Sequence, residues 1–372
     1  MSAAGPGTAT DAAPEQGRST GAPAQRPRWR TVPLPVLIAA LTVLLAASVV
    51  LAVGIGPVAV APGTVARILG LHLLGMDTPG TTEDFIVWSL RAPRVVEGVA
   101  VGAGLAVAGT VVQALVRNPV ADPFILGLSS GAGLGAVTVL TVAGSALLGT
   151  LTLPLAAFCG ALAAGACVFA TARSGGVLHP MRLILVGIAA GQLLGGLTSF
   201  LVLRTDSADA QQQVLFWLLG SLAGAQWPLA LTCAAVVAVL SLALIAGAGR
   251  LNLLVLGDEG AAALGLNATR ARAVLFAAAG LLTGTVVAVS GTIGFVGLVV
   301  PNLARILVGA DHRRVLPVAA LLGALLLVWA DTAARIVLAP SELPIGILTA
   351  VVGVPFFVIA VRRGGPGRTG AA

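Results

Sequence analysis

Lysine is absent from this 372-residue sequence, in which all 21 basic residues are arginines. A nucleotide-binding P-loop needs a lysine on the phosphates, so the chain is not itself a P-loop ATPase. Charged residues make up only 9% of the sequence, whereas 58% of its residues are hydrophobic and the mean hydropathy is +1.03. This composition excludes a soluble globular domain and predicts a polytopic helical membrane protein.

Cysteine and histidine are also scarce, with three of each. Cys159, Cys167 and Cys233 lie within apolar runs, which favours buried packing over a disulfide or a metal site. The histidines are far apart in the sequence, and none has a neighbour at ligand spacing. The sequence therefore indicates no metal site and no cofactor bound by this chain.

Apolar runs long enough to cross a bilayer as helices recur along the chain. They begin after residues 1–33, which are rich in Ala, Gly, Pro, Ser and Thr and predict a disordered tail. We predict an all-α bundle of about ten transmembrane helices within residues 34–363, followed by a short tail of residues 364–372. The predicted spans are residues 34–53, 95–116, 124–140, 151–172, 182–203, 227–248, 270–290, 293–308, 315–338 and 344–361.

The arginines are distributed unevenly between the predicted loops. With the first helix starting inside, most arginines fall on the cytoplasmic side, and only Arg67, Arg91, Arg94, Arg204 and Arg335 fall outside. Positive residues prefer the cytoplasmic face, so the pattern predicts a cell-membrane protein with both termini cytoplasmic. Orientation also explains the net charge of +7 better than nucleic acid does, because the arginines form no contiguous basic face.

Two apolar runs within residues 91–135 are joined by a polar turn at residues 117–123 that ends in Pro-Val-Ala-Asp-Pro. Glycines recur at every fourth position of both runs, which predicts close packing of these helices against neighbouring helices. They are Gly98 and Gly102 in the first run, and Gly127, Gly131 and Gly135 in the second.

This stretch resembles the opening of the FecCD/BtuC-type permeases, the membrane subunits of ABC importers for iron chelates and cobalamin. In that family an R-x-P-R start, a Q-A-L-x-R-N-P-x-A-x-P turn and a G-x-S-x-G-A segment follow in this order, as they do here. Signatures at residues 291–301, a Gly-rich reversal capped by Pro301, and at residues 311–313 extend the resemblance over about residues 85–363. It implies the ABC type II importer permease fold and a transport subunit that is not an enzyme, with ATP and Mg on a partner.

Residues 250–272, here called the coupling segment, form a polar interruption late in the chain. The alanine-rich stretch that follows Asp258-Glu259-Gly260 resembles the E-A-A-x-x-x-G loop by which importer permeases dock into a groove of their ATPase. Small residues fit such a crevice, and one acidic group can pair with a basic partner. An ordinary connecting loop is the alternative. The site residues expected here are Leu256, Gly257, Asp258, Glu259, Ala262, Leu264 and Gly265.

Arg91, Arg94 and Arg335 form a second group, on the predicted outer side. In the resembled family, arginines at these motif positions receive acidic residues from the two lobes of a substrate-binding protein. A guanidinium suits such bidentate contacts. Alternatively, Arg94 pairs with Glu97 and Arg335 with Asp331 along their own helices.

Two helices are candidates for the transport path, because small residues and helix-loosening prolines concentrate there. Glycine strips serve helix contact as well as pore lining, and the resemblance implies the pore. The candidates are Gly187, Gly191, Gln192 and Gly195 on the first helix, and Pro344, Gly346 and Thr349 on the second.

The resemblance implies an importer of ferric siderophore, with cobalamin or haem as alternatives. The expected partners are a second, identical or related permease, two ABC ATPase subunits, an external substrate-binding protein and membrane lipid. Two rival interpretations are weaker. A hydrolase using the G-x-S-x-G motif needs a basic residue, and no histidine lies within a predicted span. An ion-coupled transporter needs a carboxylate at mid-membrane, whereas Glu97 and Asp331 lie near span ends.

Overall fold

Helices make up most of the described chain in a computed structural model, which describes residues 33–78, 80–143, 151–174 and 177–363. The chain divides into two units, Met1–Thr31 and Val32–Ala372, and all the described helices belong to the second. Residues 1–32 of the predicted N-terminal tail and the whole predicted C-terminal tail lie outside the described residues.

The described residues contain fifteen α-helices and one two-residue hairpin, β1 (Arg173–Ser174) with β2 (Val177–Leu178). π-Helical turns follow α3 at Phe85–Arg91 and α5 at Val139–Ala143, and a 3-10 turn at Pro123–Leu126 precedes α5. The helices are α1 Leu34–Gly54, α2 Pro62–Leu73, α3 Thr82–Asp84, α4 Ala92–Val116, α5 Leu128–Thr138, α6 Thr152–Ala172, α7 Pro180–Leu203, α8 Ala208–Leu219, α9 Trp227–Ala246, α10 Ala248–Val255, α11 Asp258–Ala263, α12 Ala268–Ser290, α13 Val296–Val308, α14 His312–Ile336 and α15 Ile345–Arg363.

Seven helices within the described ranges are long and apolar enough to cross a membrane. One of them is continuous from Thr82 to Val116, so it starts well before the predicted residue 95. Three shorter apolar helices, Leu128–Thr141, Val296–Val308 and Ile345–Ile359, account for the other predicted spans. The all-α class is confirmed, and each apolar run of the sequence has its helix.

Helix α4 is the centre of the bundle, and α9, α12, α13 and α14 pack around it. Small residues allow backbone to approach backbone there. A Cβ placed on Gly102 would lie 2.2 Å from the carbonyl oxygen of Gly323 in α14, and one on Gly109 would lie 2.0 Å from the oxygen of Gly297. The 25 residues of α4 rise roughly 37 Å, so its two ends lie on opposite sides of the bundle.

A second close contact joins α5 to α6, and α7 packs against α5. A Cβ on Gly131 would lie 2.4 Å from the oxygen of Gly160, and one on Gly135 would lie 2.2 Å from the oxygen of Ala156. The predicted close packing at the recurring glycines is confirmed at these positions and at Gly102.

The prediction that Pro301 caps the Gly-rich reversal is wrong, because Pro301 lies inside α13. The chain reverses instead through two residues with positive φ, Gly291 at +67° and Phe295 at +69°. Glycine adopts this conformation without steric cost, and Phe295 adopts it as the residue that precedes α13.

Candidate functional site

Two of the three groups of predicted site residues lie at the two ends of α4. Arg94 lies near the beginning of this helix with the other outer arginines, whereas Arg117 ends it beside the coupling segment. The third group, the pore candidates, lies on α7, at the start of α15 and, for Pro344, just before α15.

The coupling segment folds into two short helices, α10 and α11, bounded by glycines in the left-handed region. Gly257 has a φ of +98° and Gly265 a φ of +79°, so both turns require residues without a side chain. Of the predicted site residues only Gly257 is partly buried; Leu256 and Leu264 are 62% and 61% exposed. The segment therefore presents small and apolar side chains on the surface of the subunit.

Asp258 fastens the coupling segment to two core helices. Its Oδ2 accepts a hydrogen bond of 2.8 Å from Nη1 of Arg272 in α12, and Arg117 at the end of α4 pairs with the same carboxylate. The hydrogen bonds from Arg272 are the main cause that lowers the pKa of Asp258 to about 2. The carboxylate is therefore ionised at neutral pH. Glu259 is exposed and has no partner among the described residues.

A second connection joins α10 to α14. The side chain of Asn252 donates to Oδ1 of Asp311 over 2.7 Å and accepts the backbone N–H of His312 over 3.0 Å. Asp311 in turn caps α14 by accepting the N–H of Arg313. The amide of Asn252 is the main cause that lowers the pKa of Asp311. The coupling segment is thus attached to α4, α12 and α14.

The Q-A-L-x-R-N-P turn attaches α4 to α13 in the same region. Nη1 of Arg305 donates to the side-chain oxygen of Gln113 over 2.6 Å, and Asn302 donates to the carbonyl oxygen of Pro119 over 2.9 Å. Polar groups of this motif are therefore paired with polar side chains of α13.

At the opposite end, Arg94 and Arg335 share one carboxylate. Nε of Arg94 donates to Asp331 over 2.9 Å, and Arg335 forms an ion pair of 3.2 Å with the same residue. Arg94 also reaches Glu342, which precedes α15, with Nη1 at 3.0 Å from Oε1. We call Arg91, Arg94, Asp331, Arg335 and Glu342 the arginine network. Only the side chain of Glu342 is substantially exposed, at 41%.

Arg91 completes this network through the backbone. Its guanidinium donates to the carbonyl oxygens of Val53 and Gly54 over 3.0 Å, and to that of Val58 over 2.6 Å. The last carbonyl groups of a helix lack hydrogen-bond donors within the helix. At the end of α1, the guanidinium of Arg91 is that donor.

The three outer arginines are all buried in the isolated subunit, with 4–7% of each residue exposed. Arg335 pairs along its own helix with Asp331, as the alternative interpretation expects. Arg94 does not pair with Glu97, which is 1% exposed and whose side chain has no hydrogen bond among the described residues. Contact between these arginines and a binding protein stays a prediction.

The pore candidates have different surroundings. A Cβ on Gly187 would lie 2.3 Å from the oxygen of Ile125, so this glycine serves packing, whereas Gln192 is exposed and Gly195 has open space beside it. Gly191 lies near Ser130. In α15 and before it, Pro344 and Thr349 are buried, and a Cβ on Gly346 would lie 2.2 Å from the oxygen of Leu219. Their role in a pore stays a prediction.

The residues of the hydrolase alternative do not meet in the described chain. Ser129 has no hydrogen bond to a histidine there, because His72 pairs with Asp84 and His312 with Asn252, while His179 is exposed. Within the same residues, no group of three or more His, Cys, Asp or Glu side chains is placed to hold a metal ion.

Comparisons with known proteins agree with this architecture. The family model described as the FecCD transport family matches residues 18–363. The hemin transport system permease protein HmuU of Yersinia pestis is 44% identical over 288 residues, which cover 76% of this chain and 85% of HmuU. The cobalamin import system permease protein BtuC of Halobacterium salinarum is 43% identical over 281 residues, 76% of this chain and 74% of BtuC.

A solved structure assigned to a metal-chelate type ABC transporter in an inward-facing conformation has the same fold. It superposes with a TM-score of 0.77 at 32% sequence identity, over 88% of this chain and 99% of its own. The family match covers residues 18–363, and both relatives are more than 40% identical to this chain over about three quarters of its length. The chain therefore belongs to the FecCD transport family of membrane permeases.

Proposed function

We propose that this permease is the membrane-spanning subunit of an ATP-driven importer for a metal chelate, in the first place a ferric siderophore. Its relatives are named for cobalamin and hemin, and the similar structure is assigned to a metal-chelate transporter. All three names concern a metal held in an organic chelator. Cobalamin and haem are therefore the alternative cargoes.

The coupling segment carries the proposal for ATP-driven work. Its exposed surface offers Glu259 and small side chains to a partner, while Asp258 and Asn252 bind it to α12 and α14 within the subunit. A partner that moves α11 thereby moves core helices. We assign this surface to a separate ABC ATPase, and two such ATPases act on a pair of identical or related permeases. ATP and Mg belong to those ATPases.

Closure of the ATPase pair would displace the coupling segment and the helices attached to it as rigid bodies. Helix α4 links this movement to the arginine network at the opposite end, because the same helix contains Arg94 and ends at Arg117. Packed helices move between discrete arrangements rather than deform continuously, so the subunit alternates between outward-open and inward-open states.

For the outer end, we propose docking of an external binding protein at the arginine network, with Glu342 nearest to the surface. Arg91→Glu and Arg335→Glu are expected to weaken binding of that protein, measured with the purified complex. Because both arginines are buried, thermal unfolding must be measured in parallel, with exposed Arg204→Glu as the matched control. Unchanged affinity in both buried variants would remove the docking assignment.

The cargo is tested by reconstitution into proteoliposomes with the ATPase and the binding protein. Uptake of ferric siderophore, cobalamin and haem is then compared under the same conditions. We expect ATP-dependent uptake, with the siderophore transported fastest. Uptake of another chelate alone would correct the cargo, and transport in the absence of any ATPase would instead support an ion-coupled transporter.

A further inference from the structure

A groove of about 440 Å³ lies between the end of α9 and the beginning of α12. Its size falls within the range of small-ligand sites. The walls are apolar along the two spanning helices, and polar side chains line only the end near the coupling segment. The residues that matter are Leu240 and Leu244 of α9, Val274 and Ala278 of α12, and Arg250 and Arg270 at the polar end.

The charge at the polar end is not neutralised by any residue that the structure describes. Arg250 and Arg270 are exposed, and neither guanidinium has a hydrogen bond or ion pair with any residue that the structure describes. Among the described residues, none that lines the groove is acidic. Arg117 and Arg272 nearby differ, because Asp258 pairs with both. Helix α12 also begins beside Arg270, and a helix N-terminus favours an anion.

The apolar walls of the groove open toward the surroundings of the bundle. Val274 is 58% exposed, and Leu242 on the neighbouring face of α9 is 65% exposed. Because α9 and α12 both cross the membrane, these side chains lie at the depth of the acyl chains, with the arginines at the depth of the headgroups. The occupant must then be apolar along its length and anionic at one end.

We propose that this groove binds an anionic phospholipid, with an acyl chain between α9 and α12 and the phosphate between Arg250 and Arg270. Basic pockets between transmembrane helices bind such headgroups. The two arginines flank α10 and α11 in sequence, so a bound lipid holds both ends of the coupling segment at the membrane surface. The lipid belongs to the leaflet on the side of the coupling segment, and its binding does not depend on which cargo is carried.

Native mass spectrometry of the detergent-purified full chain, titrated with phosphatidylglycerol or phosphatidylcholine, tests the site. The unaltered chain is expected to prefer phosphatidylglycerol. Arg250→Gln combined with Arg270→Gln is expected to weaken phosphatidylglycerol binding about 30-fold, since each arginine near the headgroups contributes about 1 kcal/mol. Arg173→Gln with Arg182→Gln removes the same charge from exposed sites outside the groove and should leave the affinity unchanged.

A second variant separates a lipid from other ligands. Ala243→Trp fills the groove and keeps both arginines, so it is expected to reduce phosphatidylglycerol binding as well. Unchanged phosphatidylglycerol binding in Ala243→Trp would mean that the acyl chain does not occupy the groove. Full competition by inorganic phosphate would mean that a free anion suffices. Either result would overturn the lipid site. Equal binding of phosphatidylglycerol and phosphatidylcholine would also overturn the lipid site. The same holds if the double arginine variant binds lipid as before but loses its binding to the ATPase.

Discussion

Asp258 connects three parts of the permease through one carboxylate, because Arg117 of α4 and Arg272 of α12 both pair with it. Arg272 is 1% exposed, so an unpaired guanidinium there would be a buried uncompensated charge. The neighbouring Glu259 is exposed and has no such partner among the residues that the structure describes. Two adjacent acids therefore differ in their surroundings, since Asp258 is paired within the subunit and Glu259 is exposed.

Replacing Asp258 by Asn is expected to lower uptake per ATP hydrolysed in proteoliposomes, because the loss of a charge-assisted hydrogen bond of about 1.5 kcal/mol weakens the attachment of α11 to α12 about tenfold. The pKa of Asp258 is lowered to about 2. The stabilisation by its ionised carboxylate is therefore fully present above the ordinary carboxyl pKa and is lost as the pH falls toward 2. The defect should accordingly be the same at any pH from about 5 to 8.

Asp209→Asn is the control for Asp258→Asn, since Asp209 is exposed at the beginning of α8, far in sequence from the coupling segment. A ratio of uptake to hydrolysis that stays at the level of the unaltered protein in Asp258→Asn would show that this carboxylate does not transmit the movement.

Arg335→Gln is expected to destabilise the permease by about 3–5 kcal/mol, because it leaves part of the charge of Asp331 without a partner in a buried site. Denaturant or thermal unfolding in detergent measures this loss. Arg204→Gln, at an exposed position, should change the stability by less than about 0.5 kcal/mol. Equal stability of the two variants would contradict a structural role for the arginine network.

At the scale of helices, the crossing of α4 and α14 depends on two facing glycines. A Cβ on either Gly102 or Gly323 would come within 2.3 Å of a carbonyl oxygen of the opposite helix. Both contacts are with backbone, which cannot rotate away as a side chain can. The helices must therefore separate to admit a methyl group, and the packing around α4 loosens with them.

Gly102→Ala is expected to lower the free energy of unfolding by about 1–3 kcal/mol through overpacking. The measurement is the denaturant midpoint of unfolding in detergent, converted to a free energy of unfolding with the same denaturant dependence for both proteins. Gly195→Ala provides the matched control, because no atom lies within 4 Å of a Cβ at that position and alanine favours a helix. Equal or greater stability of Gly102→Ala would show that α14 yields to the methyl group.

Hydropathy and residue spacing predict the helices and some contacts within them, but not the side-chain pairs between residues that are far apart in the sequence. Each apolar run became a helix, and the i,i+4 pair of Asp331 with Arg335 follows from helix geometry. Arg94 instead finds its acid 237 residues away, and Asn252 of α10 finds Asp311 59 residues away. Nothing local in the sequence encodes such a pairing. The prediction that Pro301 caps the reversal was wrong because the reversal depends on residues with positive φ rather than on proline.

For the whole molecule, the predicted orientation places the coupling segment in the cytoplasm. In a variant with Cys159, Cys167 and Cys233 replaced by serine, a cysteine substituted at Glu259 should react with a membrane-impermeant maleimide only after the cells are opened. A cysteine substituted at Asp209 should react in intact cells. If a cysteine at position 259 reacted in intact cells, the predicted orientation would be wrong, and the coupling segment could not be assigned to an ATPase.

The distance in sequence between Arg94 and Asp331 has a consequence for biogenesis. Helix α4 is synthesised with a guanidinium whose carboxylate partner leaves the ribosome 237 residues later. An arginine in the middle of an isolated transmembrane helix costs about 2.5–3.5 kcal/mol on insertion, and less near a helix end. Until α14 is synthesised, Arg94 lacks the buried carboxylate that neutralises it in the folded subunit, so the surroundings of the central helix are complete only after α14 has joined the bundle.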